Sequence, residues 1–172
     1  MITPSADITA WFSGRLPAAW TRHGGPDVVV DREEITVVLE IAAPTLDDDT
    51  AESTRSEAIA GRIAGFRDET REQRVSIARE AEQRFERKVA WGVSCDGHTA
   101  LFTHIAVPAM TRLRQPERQV LDTLIAAGVA KSRADALAWC VKLVGQHTDE
   151  WLADLRRAID DVDRVRAEGP AV

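Results

Sequence analysis

The sequence predicts an α+β fold: a small antiparallel sheet with helices, followed by a short strand and a three-helix C-terminal unit. Three observations predict it. Two β-branched runs, 27–30 and 35–41, flank a polar corner, and Val89, Trp91 and Val93 alternate with small residues ahead of Asp96-Gly97. Apolar residues recur at helical spacing across 52–87 and again from Asp149 to about Ala167.

Taken in order, the first element is a helix from about Ser5 to Ser13, anchored by Trp11 and Phe12 and stopped by Gly14 and Pro17. Asp27–Val30 and Ile35–Ile41 read as a hairpin turned at Asp31–Glu34. Pro44 and the acidic cluster Asp47, Asp48 and Asp49 form a surface loop, and acids suit the start of the helix that follows. Residues 52–87 are helical, as one helix or two. Ile59, Ile63 and Phe66 make one stripe, and Val75, Ala78, Ala81 and Phe85 another. The eight polar residues Arg67–Arg74 between them are an exposed span or a break. Gly61 and Gly65, four apart, allow close packing but weaken the helix by about 1 kcal/mol each relative to Ala.

Lys88–Cys95 reads as a half-buried strand, Asp96-Gly97 as its turn and Thr99–Val107 as the return strand. A short strand over 110–115 follows Pro108. Then comes a helix opened by Pro116 and closed by Gly128, placing Val120, Leu121, Leu124 and Ile125 toward a core. A second helix is capped by Ser132, with Asp135 three residues on. The last helix, capped by Thr148, presents Trp151, Leu152, Leu155, Ile159 and Val162 on one face and ends at Gly169-Pro170. The predicted division is residues 1–107 and 108–172, and the five tryptophans (Trp11, Trp20, Trp91, Trp139, Trp151) are core and interface anchors.

Composition narrows the function classes. With 44% hydrophobic and 29% charged residues, the 172-residue chain can bury a core and is not disordered by composition. It has no apolar run long enough for a membrane span and no secretory leader pattern, so a cytoplasmic protein with no membrane partner is expected. Two unpaired cysteines, Cys95 and Cys140, fit reduced thiols. The net charge of −6 argues against a generic nucleic-acid binder. Its distribution is uneven: residues 109–147 carry six basic and three acidic side chains, the one net-basic segment. Local charge sets counterion release, so an acidic chain with one basic patch can bind DNA.

No catalytic motif is present, and an enzyme is not expected. Cys95, His98 and His104 lie near one hairpin, but Cys-x-x-His lacks the paired ligand set of a metal site. Neither metal nor cofactor is expected.

The stretch 110–144 carries the pointer to a partner. Met110, Arg112 and Arg114 alternate with Thr111 and Leu113, so the two guanidinium groups share one strand face. A lone strand has two unpaired edges, which favours pairing with a copy of itself. The succession of basic strand, LDTLIAAG (Leu121–Gly128) and SRADAL (Ser132–Leu137) resembles the ribbon-helix-helix DNA-binding proteins. That resemblance implies a homodimer that reads bases through paired strands and grips phosphate at the start of the second helix. It would make Arg112 and Arg114 base-reading and Lys131, Ser132 and Arg133 phosphate-binding. Pro116 lies nearer Leu121 than is usual in that family, and Gln115 stands where an apolar residue often closes the strand.

The order α, β, β, α, α, β over 5–95 is similar to a type II K-homology domain, an RNA-binding fold whose G-x-x-G loop clamps the backbone. The corresponding loop here would be Gly65–Asp68, which lacks the second glycine and sets an acid against phosphate. The leading expectation is a dimeric sequence-specific DNA-binding regulator. The alternatives are a non-catalytic protein-interaction protein, or RNA binding through the N-terminal half.

Overall fold

The computed structural model describes residues 5–47 and 49–169, so Asp48 of the acidic loop and Pro170 of the C-terminal stop lie outside the described residues. The fold is α+β, and the chain divides into two units, Met1–Pro108 and Ala109–Val172.

In the first unit the β-branched runs form strands β1 (Asp27–Val30) and β2 (Glu34–Glu40), paired antiparallel. Their corner is held by Asp31, whose carboxylate accepts from the backbone N–H of Glu33 (2.8 Å) and Glu34 (2.7 Å). Strand β3 (Lys88–Cys95) follows two helices, and β4 (His98–Leu101) returns antiparallel to it. Asp96 and Gly97, at φ 51° and 77°, make the left-handed two-residue turn expected of that dipeptide.

The sheet, in the order β1-β2-β3-β4, is mixed and not antiparallel as expected, because β2 and β3 run parallel, Ile35 beside Val89 and Leu39 beside Val93. The physical reason is the crossover: two strands joined by a helical return lie in the same direction. The return strand is also shorter than the predicted Thr99–Val107. After Leu101 the Phe102 ring leaves the sheet to lie against the guanidinium of Arg74 (4.7 Å) and that of Arg67 (5.9 Å).

Helix α1 (Ser5–Arg15) runs through Gly14 and stops before Pro17, with Arg15 bonded bidentately to Glu80 at 2.7 and 2.6 Å. The helical stretch 52–87 resolves into α2 (Glu52–Glu69) and α3 (Arg71–Phe85), broken at Thr70. The eight polar residues are therefore a break, and two of them are buried. The Thr70 hydroxyl donates to the Phe66 carbonyl (2.6 Å), and Arg74 donates to Thr70 Oγ1 (3.0 Å) and the Arg67 carbonyl (2.6 Å). The stripe of α3 also differs from the expected one: Ile77, Ala81 and Phe85 are buried, whereas Val75 is exposed.

These helices cover one sheet face. Ile8 and Phe12 of α1, Ile59 and Phe66 of α2, and Ile77, Ala81 and Phe85 of α3 share a core with Ile35, Val37, Leu39, Val89, Trp91 and Val93. Trp91 is its hub, with Phe12 and Trp20 edge-on at 6.0 and 6.3 Å. The Cys95 thiol is buried, points at the Ala42 carbonyl (3.8 Å), and is pushed up in pKa by that burial. Among the described residues no helix is long and apolar enough to cross a membrane.

The second unit holds α4 (Gln115–Ala126), α5 (Arg133–His147) and α6 (Asp149–Glu168). Gly128, at φ 75°, takes the left-handed turn that ends the first of these. The core is small: Leu121, Ala130 and Ala136 are buried, with Leu113, Leu124, Ile125, Leu137 and Cys140 against them. Val120, expected to face that core, is exposed instead. Thr148 does not cap α6; its hydroxyl donates back to the Val144 carbonyl (2.6 Å).

Candidate nucleic-acid interface

The residues singled out for nucleic acid lie on the turn between α4 and α5 and on the segment leading into α4. Residues 110–114 form no regular element, not the strand expected over 110–115, because among the described residues no neighbouring strand satisfies their edges. The segment is nevertheless oriented. Leu113 is half-buried against the α4–α5 core, while Met110, Arg112 and Arg114 are exposed. The Leu113 carbonyl accepts from Arg118 Nη1 (2.6 Å), and the Arg114 carbonyl accepts the first backbone bond of α4 from Arg118 N–H (3.1 Å). Among the described residues, the main chain of 110–112 has no backbone partner. A shallow groove of about 370 Å³ lies between this segment and Leu121, Arg133, Ala134 and Leu137.

The start of α5 forms the capping box that Ser132 and Asp135 predict. Ser132 Oγ accepts from the Asp135 N–H (3.2 Å), and the Asp135 carboxylate accepts from the Lys131 N–H (2.8 Å). Lys131 and Ser132 are exposed beside it. Arg133 is differently placed: its Nε and Nη2 donate to the two carboxylate oxygens of Asp122, each at 2.7 Å. This bidentate clasp joins α4 to α5 and neutralises one of the charges assigned to phosphate. Arg118 and Asp122 were not singled out from sequence. Their spacing of four along a helix facing a basic helix start is the signal that finds them.

Two outcomes follow from this geometry. Ser132→Ala removes the acceptor for Asp135 N–H and is expected to cost about 1 kcal/mol, read as a lower urea midpoint. The hydrogen bond from Arg133 holds the Asp122 carboxyl below its usual range. A carboxyl depressed in the folded state stabilises it above the unfolded pKa and loses that contribution as pH falls through the folded value. Acidification below the ordinary aspartate range is therefore expected to loosen the α4–α5 pair, and an acid titration of Asp122→Asn followed by hydrogen exchange should lack that component. Glu80, held low in the same way by Arg15, gives the first unit the same sign of acid dependence.

Two further groups of residues weighed in the sequence are placed as follows. His98 Nδ1 lies 3.1 Å from the Asp96 carbonyl, within its own turn, while Cys95 points into the core. Gly65–Asp68 is not a loop: all four residues are inside α2, with Phe66 buried, because the chain break falls at Thr70. A helical segment cannot close over a nucleic-acid backbone as a G-x-x-G loop does.

Comparison with known proteins follows the division into units. A family model described as "Rv1265-like protein, N-terminal domain" matches residues 6–101, and one described as "Mb1296 C-terminal domain" matches residues 114–166. The chain is 60% identical over 160 residues to the uncharacterized proteins Rv1265 and MT1303 of Mycobacterium tuberculosis and Mb1296 of Mycobacterium bovis. The aligned stretch covers 93% of this chain and 69% of each relative. No solved structure is a significant match. With more than half of its length under the first family model, and relatives matched over most of theirs, the chain belongs to the Rv1265-like protein family.

Proposed function

We propose that the chain is a non-catalytic, dimeric regulator that binds DNA sequence-specifically through its C-terminal unit and acts in the cytoplasm. The observation that carries this reading is the disposition of 110–114: Leu113 is turned onto the helical pair, Arg112 and Arg114 are exposed, and among the described residues the main chain of 110–112 has no backbone partner. A second copy laid antiparallel would pair these edges. The resulting two-stranded ribbon would carry two guanidinium groups from each chain on its outer face. A ribbon of that width enters the major groove, where arginine donates two hydrogen bonds to guanine. Lys131 and Ser132 at the start of α5 would hold phosphate, and Arg133 would do so by exchanging the Asp122 carboxylate for a phosphate oxygen.

Gel shift of the full chain on sheared genomic DNA and on total RNA, at low and moderate salt, tests the reading. Preference for DNA that falls with salt is the expected result. Preference for RNA would transfer the function to the first unit, and binding to neither would remove nucleic acid as the partner. One observation favours protein interaction as a second activity of the same unit: Trp139, Val141 and Val144 of α5 and much of one face of α6 are exposed.

A further inference from the structure

Helix α6 has no buried residue along its whole length, although it is strongly two-faced. Trp151, Leu155, Ile159, Val162 and Val165 follow one another at spacings of four, four, three and three, and each is between 41% and 59% exposed. The opposite face is already neutralised within the helix, by Arg157 with Asp154 and by Arg164 with Asp161 (3.0 Å) and Glu168 (3.5 Å). A helix gains most of its stability from burying such a face, and of this one only Leu152, beside α5, is even half-buried.

We infer that the apolar face of α6 from Leu155 to Val165 is covered by α6 of a second copy of this chain, packed antiparallel. The charge pattern along the stripe selects both occupant and direction. Leu152, Leu155, Ile159 and Val162 alternate at spacings of three and four, the pattern of a two-helix seam. One flank of that seam is apolar (Trp151, Ala158, Val165); the other carries Arg156 and Asp163, one heptad apart and opposite in sign.

With Ile159 of one helix facing Val162 of the other, an antiparallel pair sets Arg156 beside the second copy's Asp163, and the symmetry repeats the contact. Ala158 then meets Val165 on the apolar flank, and the aliphatic stem of Arg166 covers Leu155. The helices overlap over roughly 24 Å at about 1.5 Å per residue. A parallel pair would stack Arg166 on Arg166 and leave Arg156 and Asp163 opposite apolar residues. Asp163 already lies 3.4 Å from Arg166 in its own helix at an exposed site, so sharing it with a second arginine costs little. This pairing does not depend on DNA binding or on the 110–114 ribbon.

The test is sedimentation equilibrium of the full chain and three variants: Arg156→Glu, Asp163→Arg, and the two together. All the changed side chains are exposed, and circular dichroism verifies that helicity is kept. The wild type is expected to be larger than a monomer at micromolar concentration. Each single swap creates two like-charge contacts and is expected to raise the dissociation constant about tenfold, and the double swap to restore it. A monomeric wild type overturns the inference. Single swaps without effect overturn it as well, since association would then run through another surface such as the 110–114 segment. A double swap no better than the weaker single overturns the antiparallel pairing.

Discussion

Replacing Arg112 and Arg114 together by alanine is expected to weaken binding to a specific DNA site at least tenfold and to leave the fold unchanged. A bidentate contact between arginine and guanine is worth about 1–3 kcal/mol of discrimination, and the proposed ribbon loses every such contact at once. Both side chains are exposed, and neither is bonded to another side chain among the described residues, so stability should stay within about 0.5 kcal/mol of the parent. Lys131→Ala gives a contrasting profile. Loss of one phosphate contact from each copy weakens binding to all sequences alike and lowers the slope of log affinity against log salt by roughly 1.8, about 0.9 per copy. Titration of labelled duplexes at several salt concentrations separates the two. A folded double variant with unchanged affinity would remove the ribbon from the account.

Phe12→Ala is the substitution expected to cost most stability, about 3–5 kcal/mol, because the ring is fully buried and its removal leaves a cavity. Phe12 also stands edge-on to Trp91 of β3 (6.0 Å), so α1 loses one of its two buried anchors on the sheet, leaving Ile8. Urea unfolding followed by hydrogen exchange in residues 5–101 reads the loss. Val75→Ala is the matched control. Helical periodicity assigns Val75 to the core, but it is 43% exposed, and its truncation should cost no more than about 0.5 kcal/mol.

What the sequence discloses here is local, and what it conceals is the long-range choice among local options. Asp96-Gly97 specifies its turn because two successive left-handed residues are cheap only for that kind of dipeptide. Ser132 and Asp135 specify the start of α5 because both hydrogen bonds of the box close within five residues. Strand direction is different. Period-two alternation places Ile35, Val37 and Leu39 on one face but is the same for either direction of the partner, so the parallel β2–β3 pairing is not visible in it.

The break at Thr70 hides for a related reason. Arg74 lies against Phe102, far along the chain, and bonds to Thr70, so a polar run conceals two interior residues. Val120 and Val75 show the converse error. Each fits an apolar stripe by spacing, yet the neighbouring element covers a narrower arc than the stripe allows.

At the candidate interface Arg112, Arg114, Lys131 and Ser132 are exposed, but so is Thr111, so the alternation read from the sequence is visible only at Leu113. The clasp between Arg133 and Asp122 does not follow from either helix alone. It requires the α4–α5 hairpin to be closed, because the partners are eleven residues apart on two helices. A strand over 110–115 is a long-range matter too: a ladder needs a neighbouring strand, and among the described residues none lies beside this segment.

The central claim is that this chain reads DNA sequence through the paired 110–114 segments. Sequencing the genomic fragments retained by the wild-type chain, and by the Arg112→Ala/Arg114→Ala variant, tests it most directly. The account predicts that wild-type fragments share a two-fold symmetric site, as the symmetry of a dimer requires, and that the variant does not enrich it. Retention without a common sequence, or the same site recovered by the variant, would contradict it.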